Sequence, residues 1–349
     1  MPIPALRTGR STAIVSRFFL LSFLSLLTIP LAATDALSAP AEGGKPSAES
    51  VLDGVVRVST KVPSSARSAR TLGTEREGSG IVIDADGLVL TIGYLLLESE
   101  EIEIGLTDGR KFGASLVAYD HDTGFGLLRT TGKLGVKPVE LGDSDVLKAE
   151  DQVLVAAHGG QRMAMPALVV SRRAFAGYWE YLLDNAIFTS PPHPAFGGAA
   201  LFAGDGRPVG VGSLIVGDAA GPEQQVPGNM FVPIDRLKPI LAELLDNGRT
   251  SGPRRPWLGL YSEEVHGRLF VTRLAPGGPA EAAGIAKGDL VLGVGGQAVS
   301  GLADFYRKVW ALGPAGVSVP LDVLHGTEVK PVQVKSGDRY QYLKLNRSY

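Results

Sequence analysis

Cysteine is absent from all 349 residues. That excludes a disulfide framework, a thiolate metal site, a cysteine nucleophile and a lipid-anchored N-terminal cysteine. An excess of one charge is missing too: 34 basic residues stand against 36 acidic ones, for a formal net charge of −2. No electrostatic footprint for nucleic acid follows at the level of the whole chain, and Arg172-Arg173 and Arg254-Arg255 are short pairs expected to be solvated and not functional. Histidine is scarce, with five in the chain, and none shows the compact spacing of a zinc site. His121, Asp122 and His193 are therefore read as surface-loop residues, and neither metal nor cofactor is expected. No apolar run reaches the roughly 20 residues of a comfortable membrane span. The longest, Phe18 to Leu31, follows Arg7, Arg10 and Arg17 and leads into small residues through Ala39, which reads as an export signal over residues 1–39. An uncleaved anchor is the alternative.

What the chain does have is 44% hydrophobic residues, 45 glycines and 23 prolines, the balance of a globular protein rich in turns. After a spacer at 40–50, short strand runs alternate with turn signals. Gly80 to Ile83 and Leu88 to Leu90 flank Asp84-Ala85-Asp86-Gly87, and Glu101 to Ile104 and Phe112 to Ala118 flank Asp108-Gly109. Val153 to Val155, Ala167 to Val170, Tyr181 to Leu183 and Val209 to Val211 add further strands at all-β spacing. From Ile234 to Leu245 the apolar period becomes helical until Asn247-Gly248 stops it, with Pro239 placed to kink or restart the run. A β-rich domain over 51–247, a linker over 248–256 and a smaller domain over 257–343 follow.

Three ordered blocks of the first domain resemble the HtrA group of trypsin-like serine proteases: Gly78 to Gly87, Leu141 to Asp145 with Asp151 to Leu154, and Leu201 to Val211. The resemblance implies a pair of packed six-stranded β-barrels. It also places the three parts of a Ser/His/Asp triad, which works only because His takes the serine proton while a carboxylate holds the imidazole. In the family's His segment this chain reads Thr91-Ile92-Gly93-Tyr94, so Tyr94 replaces the base. In the Asp segment it reads Asp120-His121-Asp122-Thr123-Gly124, so Gly124 replaces the carboxylate. In the nucleophile loop it reads Ala195-Phe196-Gly197-Gly198-Ala199, so Gly197 replaces the serine, with one residue of slack. No Ser, Thr or Cys occurs from Pro191 to Gly212, so a catalytically dead member is expected. The alternative is an endopeptidase with a relocated site, for which Ser190 with His193, and His158 in its Gly-rich turn, are the candidates.

The second domain resembles a bacterial PDZ domain through Trp257-Leu258-Gly259-Leu260, Pro276 to Ile285 and Lys287 to Gln297, so the fold class is an all-β double barrel followed by an α+β module. The resemblance implies that N–H groups at Leu258, Gly259 and Leu260 receive a peptide's terminal carboxylate while the peptide adds a strand. Phe305, Tyr306 and Val309, on a helix from Leu302 to Leu312, divide between core and groove wall. The function expected is an exported, periplasmic pseudoprotease that binds polypeptide C-termini or unfolded proteins. Regulation of an active HtrA-type protease and self-assembly stay open.

Overall fold

A computed structural model of the protein describes residues 51–343, which lie within one compact unit. The leader and spacer expected before residue 51 lie outside the described residues. Among the described residues no helix is long and apolar enough to cross a membrane.

The first barrel comprises β1 (Val55–Lys61), β2 (Glu75–Val82), β3 (Leu88–Ile92), β4 (Glu101–Gly105), β5 (Lys111–Tyr119) and β6 (Phe125–Thr130). These close in the order β1-β2-β3-β6-β5-β4, every pair antiparallel. Closure leaves no unpaired edge. The β2–β3 turn forms where Asp84 Oδ1 accepts the N–H groups of Asp86 at 2.9 Å and Leu88 at 2.7 Å, and Gly87 takes φ +81°. A Cβ on Gly87 would lie 1.9 Å from Thr130 Oγ1, so only glycine fits there.

The second barrel comprises β7 (Gln152–Ala156), β8 (Ala164–Gly177), β9 (Tyr181–Ser190), β10 (Ala200–Phe202), β11 (Pro208–Val216) and β12 (Gly228–Pro233), closed as β10-β11-β12-β9-β8-β7. Strands β8 and β9 are long, at 14 and 10 residues, and two register shifts bend their hairpin. One apolar cluster takes Leu90 and Phe125 from the first barrel and Phe188 and Met230 from the second, so the barrels share a core. At their junction Ser79 donates its N–H to Gly197 O at 2.8 Å and Thr91 donates its hydroxyl to Ser79 O at 2.6 Å. Gly198 must be glycine here, since at φ +72° its Cβ would stand 1.9 Å from Ser79 O.

The expected helix over Ile234 to Leu245 is broken in two. A 3-10 turn at Ile234–Arg236 and a helix at Leu241–Asn247 flank Pro239, whose missing N–H cannot continue a helical ladder. Gly248 ends the second piece at φ +69°.

Beyond it a third sheet runs β13 (Leu260–Val265), β14 (Arg268–Leu274), β15 (Leu290–Val294), β17 (Ser318–His325) and β18 (Glu328–Lys335), with β16 (Gln297–Ala298) beside β15. The helix Leu302–Ala311 packs Leu302, Phe305, Tyr306 and Val309 into its core. At the C-terminal helix, Arg339–Leu343, Tyr340 donates its hydroxyl to Tyr119 O at 3.2 Å and accepts the His121 N–H at 3.1 Å. The rings of Tyr119 and Tyr340 meet the His121 ring edge-on at 4.4 and 4.2 Å. His121 is thus buried, not a surface-loop residue, and burial holds its pKa well below the ordinary histidine value.

Phe188 tests the shared core. It is fully buried, with the Arg173 guanidinium 4.1 Å from its ring centre. Phe188→Ala is expected to cost about 3–5 kcal/mol through lost transfer energy and the cavity left behind. Urea unfolding measures this, and a loss under about 1 kcal/mol would show that the barrels do not depend on this ring.

Candidate functional site

Tyr94 and Gly197, two of the three positions at which the resemblance expects a triad, face each other, and Gly124, the third, lies against Gly93, the residue before Tyr94. Tyr94 lies on the 3-10 turn Gly93–Leu95 that follows β3, and its hydroxyl donates to Ser213 O at 3.1 Å. A Cβ built on Gly197 would stand 2.8 Å from that hydroxyl, so the phenol fills the space into which a side chain at 197 would project. Gly124 joins through its backbone: its carbonyl accepts the Gly93 N–H at 2.7 Å. Its own φ is +82°, and the nearest atom to a Cβ there would be the Tyr181 hydroxyl at 3.5 Å, which itself donates to Thr123 O at 2.7 Å. Burial raises the Tyr94 and Tyr181 pKa values far above the ordinary phenol, so neither ring supplies a base near neutral pH.

An acyl-transfer site also needs free backbone N–H donors at the nucleophile and two residues before it. Two residues before Gly197, the Ala195 N–H donates to His193 Nδ1 at 3.1 Å. His193 is buried, contrary to the surface position expected for it. Burial lowers its pKa, its Nε2 faces Met163 O at 3.2 Å, and its N–H donates to Asn229 Oδ1 at 2.6 Å. It holds the loop shut as a neutral side chain. Ser190 does not meet it, because the Ser190 hydroxyl donates to Pro227 O at 2.8 Å.

A different serine lies beside a histidine. Ser79 Oγ is 3.3 Å from His158 Nδ1 and accepts the His158 N–H at 2.9 Å, while His158 Nε2 lies 3.4 Å from Glu77 Oε1. Ser79 is completely buried. Since no substrate carbonyl can approach its oxygen, these three residues pin β2 to the loop after β7. Among the described residues the acids that converge are Asp143, Asp145 and Asp235. Asp235 is already occupied by Lys238 and by the Ser144 N–H and hydroxyl.

The third sheet presents the other candidate. N–H groups of Leu258, Gly259 and Leu260 converge on one carboxylate, that of Glu180 from the β8–β9 hairpin tip. Leu258 N–H donates to Oε2 at 2.9 Å, and Gly259 and Leu260 donate to Oε1 at 2.6 and 2.9 Å. Sequence reasoning missed Glu180. The signal available was an acid among aromatics, Tyr178-Trp179-Glu180-Tyr181, between two strand runs. Phe305, Tyr306 and Val309 are all buried, and they share one apolar cluster with Leu258, Leu260 and Leu182 of the hairpin.

Burial dominates the Glu180 carboxyl and pushes its pKa from 4.5 up to about 7, against the three N–H groups and the Arg339 charge that pull it down. Besides Arg339, the titratable group facing it is the Tyr306 hydroxyl. A carboxyl whose pKa is raised in the docked state adds most to docking below about 4.5, and that contribution is lost as pH rises through about 7. Carbon NMR of the intact chain should therefore show a glutamate carboxyl with a midpoint near neutrality, absent in Glu180→Gln. Ordinary titration of every glutamate would place Glu180 in water.

The triple change Tyr94→His, Gly124→Asp and Gly197→Ser should leave casein uncut. Asp at position 124 meets a left-handed backbone, and the engaged Ala195 N–H removes a donor whose loss alone costs about 100- to 1000-fold. Turnover within tenfold of an active trypsin-like protease would show that the loop reopens.

A family model of the trypsin-like peptidase domain matches residues 78–211, and one of the PDZ domain matches residues 256–336. The chain is 29% identical over 294 residues to a probable periplasmic serine endoprotease DegP-like of Pseudomonas putida, covering 79% of this chain and 58% of the relative. It is 25% identical over 262 residues to the periplasmic serine endoprotease DegP of Escherichia coli, covering 71% and 54%. The chain thus spans little more than half the length of the curated relatives it matches. Among solved structures it is similar in fold to a variant of the HtrA-type protease AlgW with a tripeptide, with a TM-score of 0.51 and 20% identity over 84% of this chain and 97% of that one. The chain is homologous to the DegP/HtrA serine endoproteases, a trypsin-like peptidase domain of two β-barrels followed by a PDZ domain.

Proposed function

We propose that this protein is an exported pseudoprotease that recognises polypeptide C-termini through its PDZ domain. It acts as a scaffold, sensor or regulator in envelope protein quality control. The observation that carries the reading is the convergence of the Leu258, Gly259 and Leu260 N–H groups on a single carboxylate. A turn that holds one carboxylate in this way has the donors to hold a peptide's terminal one. Tyr94, Gly124 and Gly197 supply neither nucleophile nor base, so captured chains are bound and not cut. Export is supported by the printed names of the relatives, which are periplasmic proteins. Unfolded chains with exposed C-termini are the natural ligands, and an active HtrA-type protease or further copies of this chain are candidate partners.

The relatives' names as serine endoproteases favour the competing reading, an endopeptidase with a non-standard site. A fluorophosphonate probe separates the two, because it requires an activated serine. No labelling and no cleavage of unfolded casein are expected from the intact protein. Stoichiometric labelling mapped to any serine would overturn the inactive reading. The binding half is tested by titrating the intact protein with apolar-ended peptides, each made as free acid and as amide. Only the free acids should bind, with micromolar or weaker dissociation constants, since a short peptide loses freedom on joining a sheet. Equal binding of acid and amide would move the site away from Leu258–Leu260.

A further inference from the structure

The donors that would receive a peptide's carboxylate already hold one, and its neighbours in the chain fill the rest of the groove. Two residues before Glu180, the Tyr178 carbonyl accepts the Ser262 N–H at 3.2 Å. Ser262 lies on β13, the strand that follows the Leu258–Leu260 turn, so the hairpin tip lies against that strand as an added strand would. On the other side the Tyr306 hydroxyl donates to Gly177 O at 2.7 Å and accepts the Glu180 N–H at 3.1 Å. Leu182 and Ala176 pack into the apolar cluster that includes Phe305, Tyr306 and Val309. Carboxylate turn, strand and helix are all engaged by one run of seven residues.

We propose that the β8–β9 hairpin tip is a tethered pseudo-ligand of the PDZ groove, with Glu180 standing in for a C-terminal carboxylate, and that external C-termini bind only by displacing it. This rests on the reading of Leu258–Leu260 as the carboxylate turn of a peptide site.

The tip is built so that it can leave. Glu180 holds φ +57° and Asn185 φ +61°, left-handed conformations that non-glycine residues keep only when the surroundings impose them. The β8–β9 ladder ends at the Gly177–Tyr181 pair, so release of the connecting residues Tyr178, Trp179 and Glu180 need not open the barrel. As the tip is part of the same chain, its effective concentration at the groove is on the order of millimolar or more, far above that of a free ligand. A peptide therefore sees only the fraction of molecules whose groove is open, and its apparent dissociation constant is raised in proportion.

The test uses the intact chain, with Glu180→Ala to remove the internal carboxylate and Glu180→Gln to keep its volume. Hydrogen exchange over Trp257–Tyr261 and titration with an apolar-ended free-acid peptide and its amide are measured on all three proteins. In the wild type the Leu258–Leu260 amides should be protected without peptide. In Glu180→Ala that protection should be lost, the free-acid peptide should bind at least about 10-fold more tightly, and its binding should restore the protection. Glu180→Gln should shift affinity in the same direction, and a gain seen only in a variant whose circular dichroism shows lost structure would count against the proposal. Unprotected amides in the wild type, or equal peptide affinities in wild type and Glu180→Ala, would overturn the pseudo-ligand while leaving the peptide site intact. Protected amides in the wild type with no peptide bound by either variant would overturn the peptide site itself, and displacement with it.

Discussion

Taking a carboxylate out of water costs more than three backbone N–H groups return, and the joint between barrel and PDZ domain is built around that imbalance. Glu180 sits on the unfavourable side, with its pKa raised to about 7 in spite of Leu258, Gly259, Leu260 and Arg339. The contact persists because its neighbours offset the cost. Leu182 is buried in the PDZ core, Tyr178 takes up a strand N–H, and the Tyr306 hydroxyl satisfies two backbone groups of the tip at once. Apolar burial and satisfied backbone hold in place a charge that would otherwise prefer solvent.

The barrel junction shows the reverse economy. Catalytic groups are polar, buried and poised, and they lower stability unless chemistry requires them. At Tyr94, at Gly124 and in the loop before Gly197 the structure holds what packs. Tyr94 fills the cleft and satisfies its hydroxyl on Ser213, Gly124 adopts a left-handed turn that an Asp would resist, and His193 takes the Ala195 N–H. The frame around them is two closed six-stranded barrels sharing one core. Those barrels are held by strand registers and apolar alternation, which do not depend on the groups at Tyr94, Gly124 and Gly197.

What was legible in the sequence follows the range of the forces involved. The Asp84–Gly87 turn and its flanking strands were readable because one aspartate and one glycine fix them locally. The helix from Leu302 was readable because its period lies in ten consecutive residues. The break at Pro239 was foreseen as a kink or restart, while its split into a 3-10 turn and a short helix was not. Burial of His121 and His193 escaped notice, because each is covered by residues distant in sequence, Tyr340 and Asn229 among them. Glu180 escaped for the same reason, its donors lying 78 to 80 positions away. Yet aromatic residues at a hairpin tip must be covered by something, so the Tyr-Trp-Glu-Tyr run carried the signal of a partner without naming it.

A groove that carries its own ligand differs from an empty one in what it selects. An empty PDZ groove would take any apolar C-terminus in proportion to its affinity, including the many that are present in excess and mean nothing. A tethered carboxylate sets a threshold, since only ligands whose contacts exceed those of the hairpin tip, or whose local concentration is high, gain entry. The tip reaches into the second barrel through β8 and β9, so its displacement would be felt where Phe175, Tyr181 and Phe188 pack together. On the inactive reading proposed above, that connection has no reaction to switch on. What displacement can alter is the surface that the barrel presents, and on that reading this is the route by which capture of a C-terminus would be passed on.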